Sequence, residues 1–324
     1  MKRLLALGLS LFMAADAAAA TLRPQDLARM QELSQQTGVP MSQISRATGL
    51  ADFRQAVLDA YKRPAESKPW YEYEALFLTE KRIRQGADFW RTHAADLARA
   101  ERTFNVPASV IVAIIGVETF YGGNMGKHPV LDSLYTLAFY HPTRTEFFSK
   151  EFVNYIRLGN QQGWDLKARQ GSYAGAMGMG QFMPTSYLHF ALDFDGDGRT
   201  DLFNSTADAI GSVGNYFHEH QWQLGAPVAY RVTVQQDAQV APLLDGTVEL
   251  NQSWGQLQAA GVSMAPPLPA TTPVKLLKLD QADGPEYWVI LHNFYVITRY
   301  NRSPLYAMAV YQFSEQIAAA YHGQ

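Results

Sequence analysis

The chain has 324 residues, is 47% hydrophobic and 12% aromatic, and carries a formal net charge of -3. That is the balance of an ordinary globular protein, long enough for one large domain or two or three small ones. With no basic run and no positive balance, nothing points to nucleic acid. The absence of cysteine excludes disulfides, thiol nucleophiles, thiolate zinc sites and a lipid-modified N-terminal cysteine.

Residues 1–20 read as an export signal: Lys2 and Arg3 are its positive start, 4–15 its apolar stretch and Ala17 to Ala20 its small-residue cleavage site. The apolar stretch is too short for a permanent anchor, and no later stretch is long and apolar enough to span a bilayer. The expected mature form is soluble, in a bacterial periplasm. Residues 21–69 form a polar helical segment, with helices opening at Pro24, at 41–47 and at 51–61, then a linker at 62–69 rich in proline and charge. The cluster Trp70-Tyr71-Glu72-Tyr73-Glu74 fits either core packing or a stacking platform for sugar rings. Residues 79–104 read as a long amphipathic helix.

The stretch 111–126 then reads as a helix, with Asn105 and Pro107 as its cap and first turn and Gly122-Gly123 as its stop. Ile111, Ile114, Ile115 and Glu118 fall on one face by the i, i+3, i+4, i+7 pattern. The single acid of this helix therefore stands on the apolar stripe, near the C-terminal end. Lost hydration and the negative end of the helix dipole both favour the protonated carboxyl there, as a general acid needs. The same pattern also fits a rim glutamate paired with an arginine or lysine.

Helices follow at about 130–140, ended by His141-Pro142, and at 145–159. His128 and His141 have no spaced partner and read as structural or surface groups. The run 171–184 holds glycines at 171, 175, 178 and 180. They allow backbone to approach either backbone or a ligand. The run lacks the lysine and ending of a phosphate loop. Ser172 and Gln181 are its groups able to hydrogen-bond a sugar. Next, Asp193, Asp195, Asp197 and Asp201 stand at positions 1, 3, 5 and 9 of a loop with Gly198 at position 6, the oxygen spacing of an EF-hand calcium loop. Arg199 would offer its carbonyl at position 7. Asn204 replaces the usual glutamate at position 12, and Asp208 could supply the missing carboxylate. A filled oxygen cage leaves no open position for chemistry, so calcium is expected as a staple.

A helix runs from 208 to 218. From 226 the character changes: 228–234 alternates as a strand, 251–261 reads as one short helix, and 275–279, 286–291 and 295–298 read as extended. Ser303-Pro304 opens a final helix to about Tyr321. Tyr300, Asn301 and Tyr306 lie at this junction, where they fit either packing or a cleft wall.

Taken together, the chain resembles the lytic murein transglycosylase B family, glycoside hydrolase family 103. The matching pieces are Gly116-Val117-Glu118-Thr119 with Met125-Gly126-Lys127, the run 171–184, the calcium-like loop leading into Asp208-Ala209-Ile210-Gly211-Ser212, and Ile297-Thr298-Arg299-Tyr300-Asn301 with Tyr306-Ala307-Met308-Ala309-Val310. The resemblance implies a mainly α (α+β) fold. A lysozyme-like helical core with an extra helical lobe would occupy 70–225, including the loop at 193–208. A small β-containing lobe would occupy 226–299, and a C-terminal helix 300–324. It implies Glu118 as sole catalytic acid and base. It places Tyr73, Ser172, Gln181, Tyr216, Tyr300, Asn301 and Tyr306 on the glycan groove, and Asp193, Asp195, Asp197, Arg199 and Asp208 around a structural Ca2+, with no organic cofactor. The implied reaction cleaves the β-1,4 bond between N-acetylmuramic acid and N-acetylglucosamine without water, leaving 1,6-anhydromuramoyl ends. No second acid is signalled beside the glutamate helix, with Asp132 and Glu146 left open. Peptidoglycan strands are the expected partner and cell-wall synthases candidate ones. A lysozyme-type hydrolase and a non-catalytic wall-binding scaffold are the competing readings.

Overall fold

The computed structural model describes residues 24–61 and 68–323; the expected export signal and most of the expected linker fall outside them. The helices begin with α1 (Pro24–Thr37), α2 (Met41–Leu50), α3 (Gln55–Ala60), α4 (Trp70–Glu74), α5 (Glu80–Thr92), α6 (Ala94–Phe104) and α7 (Ala108–Thr119). After β1 (His128–Pro129) come α8 (Val130–Tyr140) and α9 (Thr145–Gln162), then β2 (Gln170–Gly171), α10 (Pro184–Phe190) and α11 (Thr206–Glu219). The second region runs β3 (Ala229–Val234), α12 (Asp237–Val240), β4 (Gln252–Ser253), α13 (Trp254–Ala259), β5 (Val262–Ser263), β6 (Pro273–Gln281) and β7 (Gly284–Ile290). It leads back through α14 (His292–Tyr300) to α15 (Pro304–His322).

The helix α7 is the centre of the larger core. It packs against α5, α6, α11 and α15, and every side chain in it except Glu118 is buried. The sequence suggested a single apolar stripe. Val110, Val112, Ala113 and Val117 are buried on its remaining faces, which is what an all-round apolar helix requires. Each buried Ile or Val contributes roughly 1.5–3 kcal/mol, so this helix cannot shift without disturbing its neighbours.

The helix boundaries correct three readings. Asn105 does not open α7; in the left-handed conformation (φ 57°) it ends α6. Nor does the glycine pair stop α7. Phe120 (φ 55°) and Tyr121 (φ 60°) do so, although left-handed backbone costs a non-glycine residue about 1–2 kcal/mol. The Tyr121 ring is held over Gly116, where an added Cβ would sit 2.7 Å from it, and its hydroxyl donates to the Arg82 carbonyl at 2.9 Å. The helix foreseen over 79–104 is broken at His93 (φ -112°, ψ 26°) into α5 and α6, with neither proline nor glycine to mark the break. The helices α6 and α7 bend by 114° to one another, and no single helix among the described residues is long and apolar enough to cross a membrane.

The helical hairpin α8–α9 carries α1 and α2 on α9 and α3 on α8. Asp132, fully buried on α8, binds Arg54 at 2.7 Å and accepts the Asp52 amide at 2.9 Å. Glu146 is exposed and pairs with Lys150 at 3.0 Å.

The second region is an antiparallel sheet in the order β4-β6-β7-β3-β5. The hairpin β6–β7 runs in register from Lys275↔Ile290 to Gln281↔Gly284. Its own small core includes Trp254, Leu257, Val274, Leu276 and Val289. Lys275, between Val274 and Leu276 on β6, is buried and pairs with Asp245 at 2.7 Å. Residues 295–298, read as extended, lie in α14. Asn293 fixes that helix: its side chain accepts the Gln223 amide at 2.9 Å and donates to the Gln223 and Ala226 carbonyls. Those tertiary bonds override the strand preference of Tyr295, Val296, Ile297 and Thr298.

Candidate active site and acidic loop

Glu118 is the half-buried last-turn residue of α7. The hydroxyl of Tyr306 donates to its Oε1 at 2.5 Å. A short relay fixes that phenol. Asn301 Oδ1 accepts the Ser303 amide at 3.0 Å, and Ser303 Oγ accepts the Tyr306 amide at 3.3 Å, capping α15. Tyr306 therefore leaves the first turn of α15 with its backbone pinned. Burial, and then the neighbouring Glu118 charge, push the phenols of Tyr306 and Tyr300 well above their ordinary range. Both remain protonated donors.

The Tyr300 hydroxyl donates to the Gly180 carbonyl at 2.5 Å, and its ring lies 4.7 Å from that of Tyr216. The Tyr216 hydroxyl is committed to the Arg299 carbonyl. Tyr73 is buried against Trp70 and Phe77 and near enough to Tyr306 to act on its phenol. The aromatic cluster at 70–74 thus serves packing while reaching the site.

The glycine-bearing run folds as turns; Gly171 and Gly178 face the backbone of Ala176 and Leu202, whereas Gly175 and Gly180 face the side chains of Leu134 and Tyr300. A Cβ on Gly126 (φ 91°) would lie 2.1 Å from the Gly171 carbonyl oxygen, and β1 pairs with β2 just beyond. Within the run, Ser172 Oγ accepts the amides of Ala174 and Ala176 at 3.2 and 3.0 Å. The amide nitrogen of Gln181 (φ 50°) donates to the Met125 and Gly178 carbonyls at 3.1 and 3.0 Å, leaving its oxygen to accept. Sequence reasoning passed over Thr119. This buried residue donates to the Met179 carbonyl at 2.8 Å and accepts the Gly122 amide at 3.0 Å. It fastens the end of α7 to the turn that carries Gln181. Its place beside the only acid of an apolar helix was the available signal.

In the acidic loop, carboxylate oxygens of Asp193, Asp195 and Asp197 lie within 4.8 Å of one another. Such an oxygen-only set suits a hard cation. Asp193 is pre-shaped by the amides of Gly196, Asp197 and Gly198, accepted at 2.8, 3.1 and 2.8 Å. A hydrogen bond from Ser205, and then the Asp197 amide, hold the Asp195 carboxyl below its usual value. Asp208, expected as the closing ligand, lies outside this cluster. It is buried, and its two oxygens accept the amides of Phe194, Asp195 and Asp201. Burial raises its pKa, against the pull of those amides. It ties both ends of the loop to α11.

Comparisons place this arrangement. A family model described as a transglycosylase SLT domain matches residues 23–315. The membrane-bound lytic murein transglycosylase B of Escherichia coli strain K12 is 43% identical over 251 residues, covering 78% of this chain and 68% of that protein. The soluble lytic transglycosylase SltB1 of Pseudomonas aeruginosa superposes with a TM-score of 0.84 at 43% identity, over 93% of this chain and 100% of that one. The E. coli lytic transglycosylase Slt35 in complex with calcium does so with a TM-score of 0.81 at 38% identity, over 92% and 94%. The architecture is the lysozyme-like α+β fold of these enzymes. The chain belongs to the transglycosylase SLT family and is a lytic murein transglycosylase, a lyase acting on peptidoglycan.

Proposed function

We propose that Glu118 is the sole acid and base of the cleavage. The observation that carries this reading is the place of this acid at the end of an otherwise buried helix, with the Tyr306 phenol on its Oε1. The two acids left open by the sequence are spent elsewhere, Asp132 on Arg54 and Glu146 on Lys150. Glycosidases that use water or a covalent sugar need a second carboxylate near the bond.

In the proposed course, protonated Glu118 gives its proton to the glycosidic oxygen as the bond from C1 of N-acetylmuramic acid breaks. N-acetylglucosamine leaves with that proton on its 4-oxygen. The substrate's own N-acetyl group supports the charge at C1. Ionised Glu118 then takes the proton of the C6 hydroxyl, whose oxygen closes on C1. The carboxyl is regenerated and no water is consumed. Tyr306, as a fixed donor, steadies the carboxylate between these steps. Tyr73, Tyr216 and Tyr300 supply the aromatic wall around it. Ser172, the free oxygen of Gln181 and Asn301 supply hydrogen bonds to the glycan.

The acidic loop would hold Ca2+ through Asp193, Asp195, Asp197 and the Arg199 carbonyl, with Asp208 bracing the loop from below. Bound there, the ion supplies charge neutralisation and rigidity. The domain division read from the sequence fits the two separate cores, and export to the periplasm fits the basic, apolar and small-residue pattern of 1–20.

Replacing Glu118 by Gln tests the catalytic assignment. The variant is expected to bind purified glycan strands but release anhydromuropeptides on the order of 10³-fold more slowly. Release at near wild-type rate from correctly folded protein would remove Glu118 from its role.

A further inference from the structure

Trp164, just past the end of α9, stands between two cavities. One, of about 520 Å³, is lined among others by Gln161, Gln162, Arg169, Arg199 and Asp201. The other, of about 390 Å³, is lined among others by Arg46, Asn160 and Asp165. The larger lies behind the glycine-bearing turn from Glu118: Thr119 binds the Met179 carbonyl, and the Met179 amide binds the Leu202 carbonyl beside the cavity.

The donors of the larger cavity have no acceptors. The half-buried Arg169 has its guanidinium carbon 4.7 Å from the Trp164 ring and 5.1 Å from the Phe203 ring. Neither its side chain nor that of Arg199 makes a hydrogen bond or ion pair among the described residues, and the same holds for the side-chain amides of Gln161 and Gln162 and the indole N–H of Trp164. The one acid in the wall, Asp201, turns its oxygens to its own loop, accepting the amides of Phe203 and Asn204 and the Asn204 side chain. Elsewhere, exposed arginines such as Arg84, Arg91 and Arg99 find a nearby carboxylate. A guanidinium packed against two edge-to-face rings has part of its freedom already restricted, and the Arg199 side chain lines the same cavity and offers further donors to an oxyanion.

We propose that this cavity is a second, non-catalytic site that binds a carboxylate of the murein stem peptide, with Arg169 and Arg199 as its recognition pair and Trp164 as its floor. The substrate itself carries such groups, because stem peptides hang from the muramic sugars and bear free carboxylates. An extended stem of five residues reaches about 17 Å from its muramic sugar. The inference rests on murein as substrate and is independent of the role given to Glu118.

The test follows the Trp164 indole N–H by NMR while a soluble stem peptide, inorganic phosphate and an N-acetylglucosamine oligomer are each titrated in. The stem peptide is expected to shift that resonance, in the Glu118→Gln protein as in the wild type, and the shift is expected to vanish in Arg169→Gln and Arg199→Gln. Phosphate and the oligomer should leave it in place at equal concentration. In the kinetic arm, the rate on stem-bearing glycan divided by the rate on amidase-stripped glycan should fall about threefold to tenfold in each variant. Arg199 is exposed, so its variant keeps the test valid if Arg169→Gln folds poorly. No shift with the peptide, an equal shift with phosphate, or an unaltered rate ratio would overturn the proposal.

Discussion

Glu118 and the aspartates of the 193–208 loop are both carboxylates in tight quarters, yet their surroundings differ in kind. Asp193 collects three amides within its own loop, and Asp208 collects three more. Fixed N–H groups of this sort hold a shape. Glu118 instead receives a phenol that is itself held protonated, at the end of a helix whose other side chains are all buried. A carboxyl at the end of an apolar helix, with a phenol on one oxygen, is placed to take up and release a proton during a turnover. The difference separates a group suited to chemistry from a group suited to bracing.

Apart from loss of Glu118 itself, the largest expected effect comes from Tyr306→Phe. It removes the hydroxyl on Glu118 Oε1 and little else. A hydrogen bond to a charged group is worth about 1.5–3 kcal/mol, so turnover should fall about 10- to 100-fold with the melting temperature nearly unchanged. Rate and melting curve together check it, and an unaffected kcat would place Tyr306 outside the catalytic cycle. On the other side of the comparison, Asp193→Ala or chelation should lower the melting temperature far more than turnover per folded molecule. If the melting temperature is the same with and without calcium, the bracing role is lost.

A smaller effect is expected from Asp245→Asn, because a third kind of carboxylate occurs in the sheet region. The buried Lys275 ammonium, together with the Thr247 amide, holds the Asp245 carboxyl far below its ordinary value. The sign follows from that depression. The contribution is present above the unfolded carboxylate pKa of about 3.9 and is lost as pH falls through the folded value. The variant should therefore melt earlier than wild type at neutral pH. The gap should narrow as the solution is acidified below about pH 4. A gap constant across that range would show that the pair contributes nothing through charge.

Several of these features were legible in the sequence. Glu118 stands out because one acid in an apolar run is costly unless used. Ser303-Pro304 marks the start of α15 through capping chemistry, and the structure has Ser303 capping that helix. The acidic spacing from Asp193 to Asp197 foretells a convergence that the structure contains. Other features depend on partners far along the chain. Asn293 converts a strand-like run into α14 only because Gln223 and Ala226 are there to bind it. The break at His93 and the left-handed pair Phe120-Tyr121 carry no local marker, and Tyr121 is tolerated only where Gly116 makes room. Asp208 has the spacing of a metal ligand, but burial under the loop gives its oxygens to amides. The cavity at Trp164 gathers residues from α9, the segment after it and the acidic loop, so no linear motif announces it.

The most direct measurement of the central claim is the mass of products released by the wild-type enzyme from purified sacculi in ¹⁸O-labelled water. With one carboxyl acting as acid and then base, every new muramic end is expected as the 1,6-anhydro form, lighter by one water than a reducing end and free of ¹⁸O. Labelled reducing ends formed at the rate of cleavage would show that water attacks C1, and would contradict a single-carboxylate, water-free mechanism at Glu118.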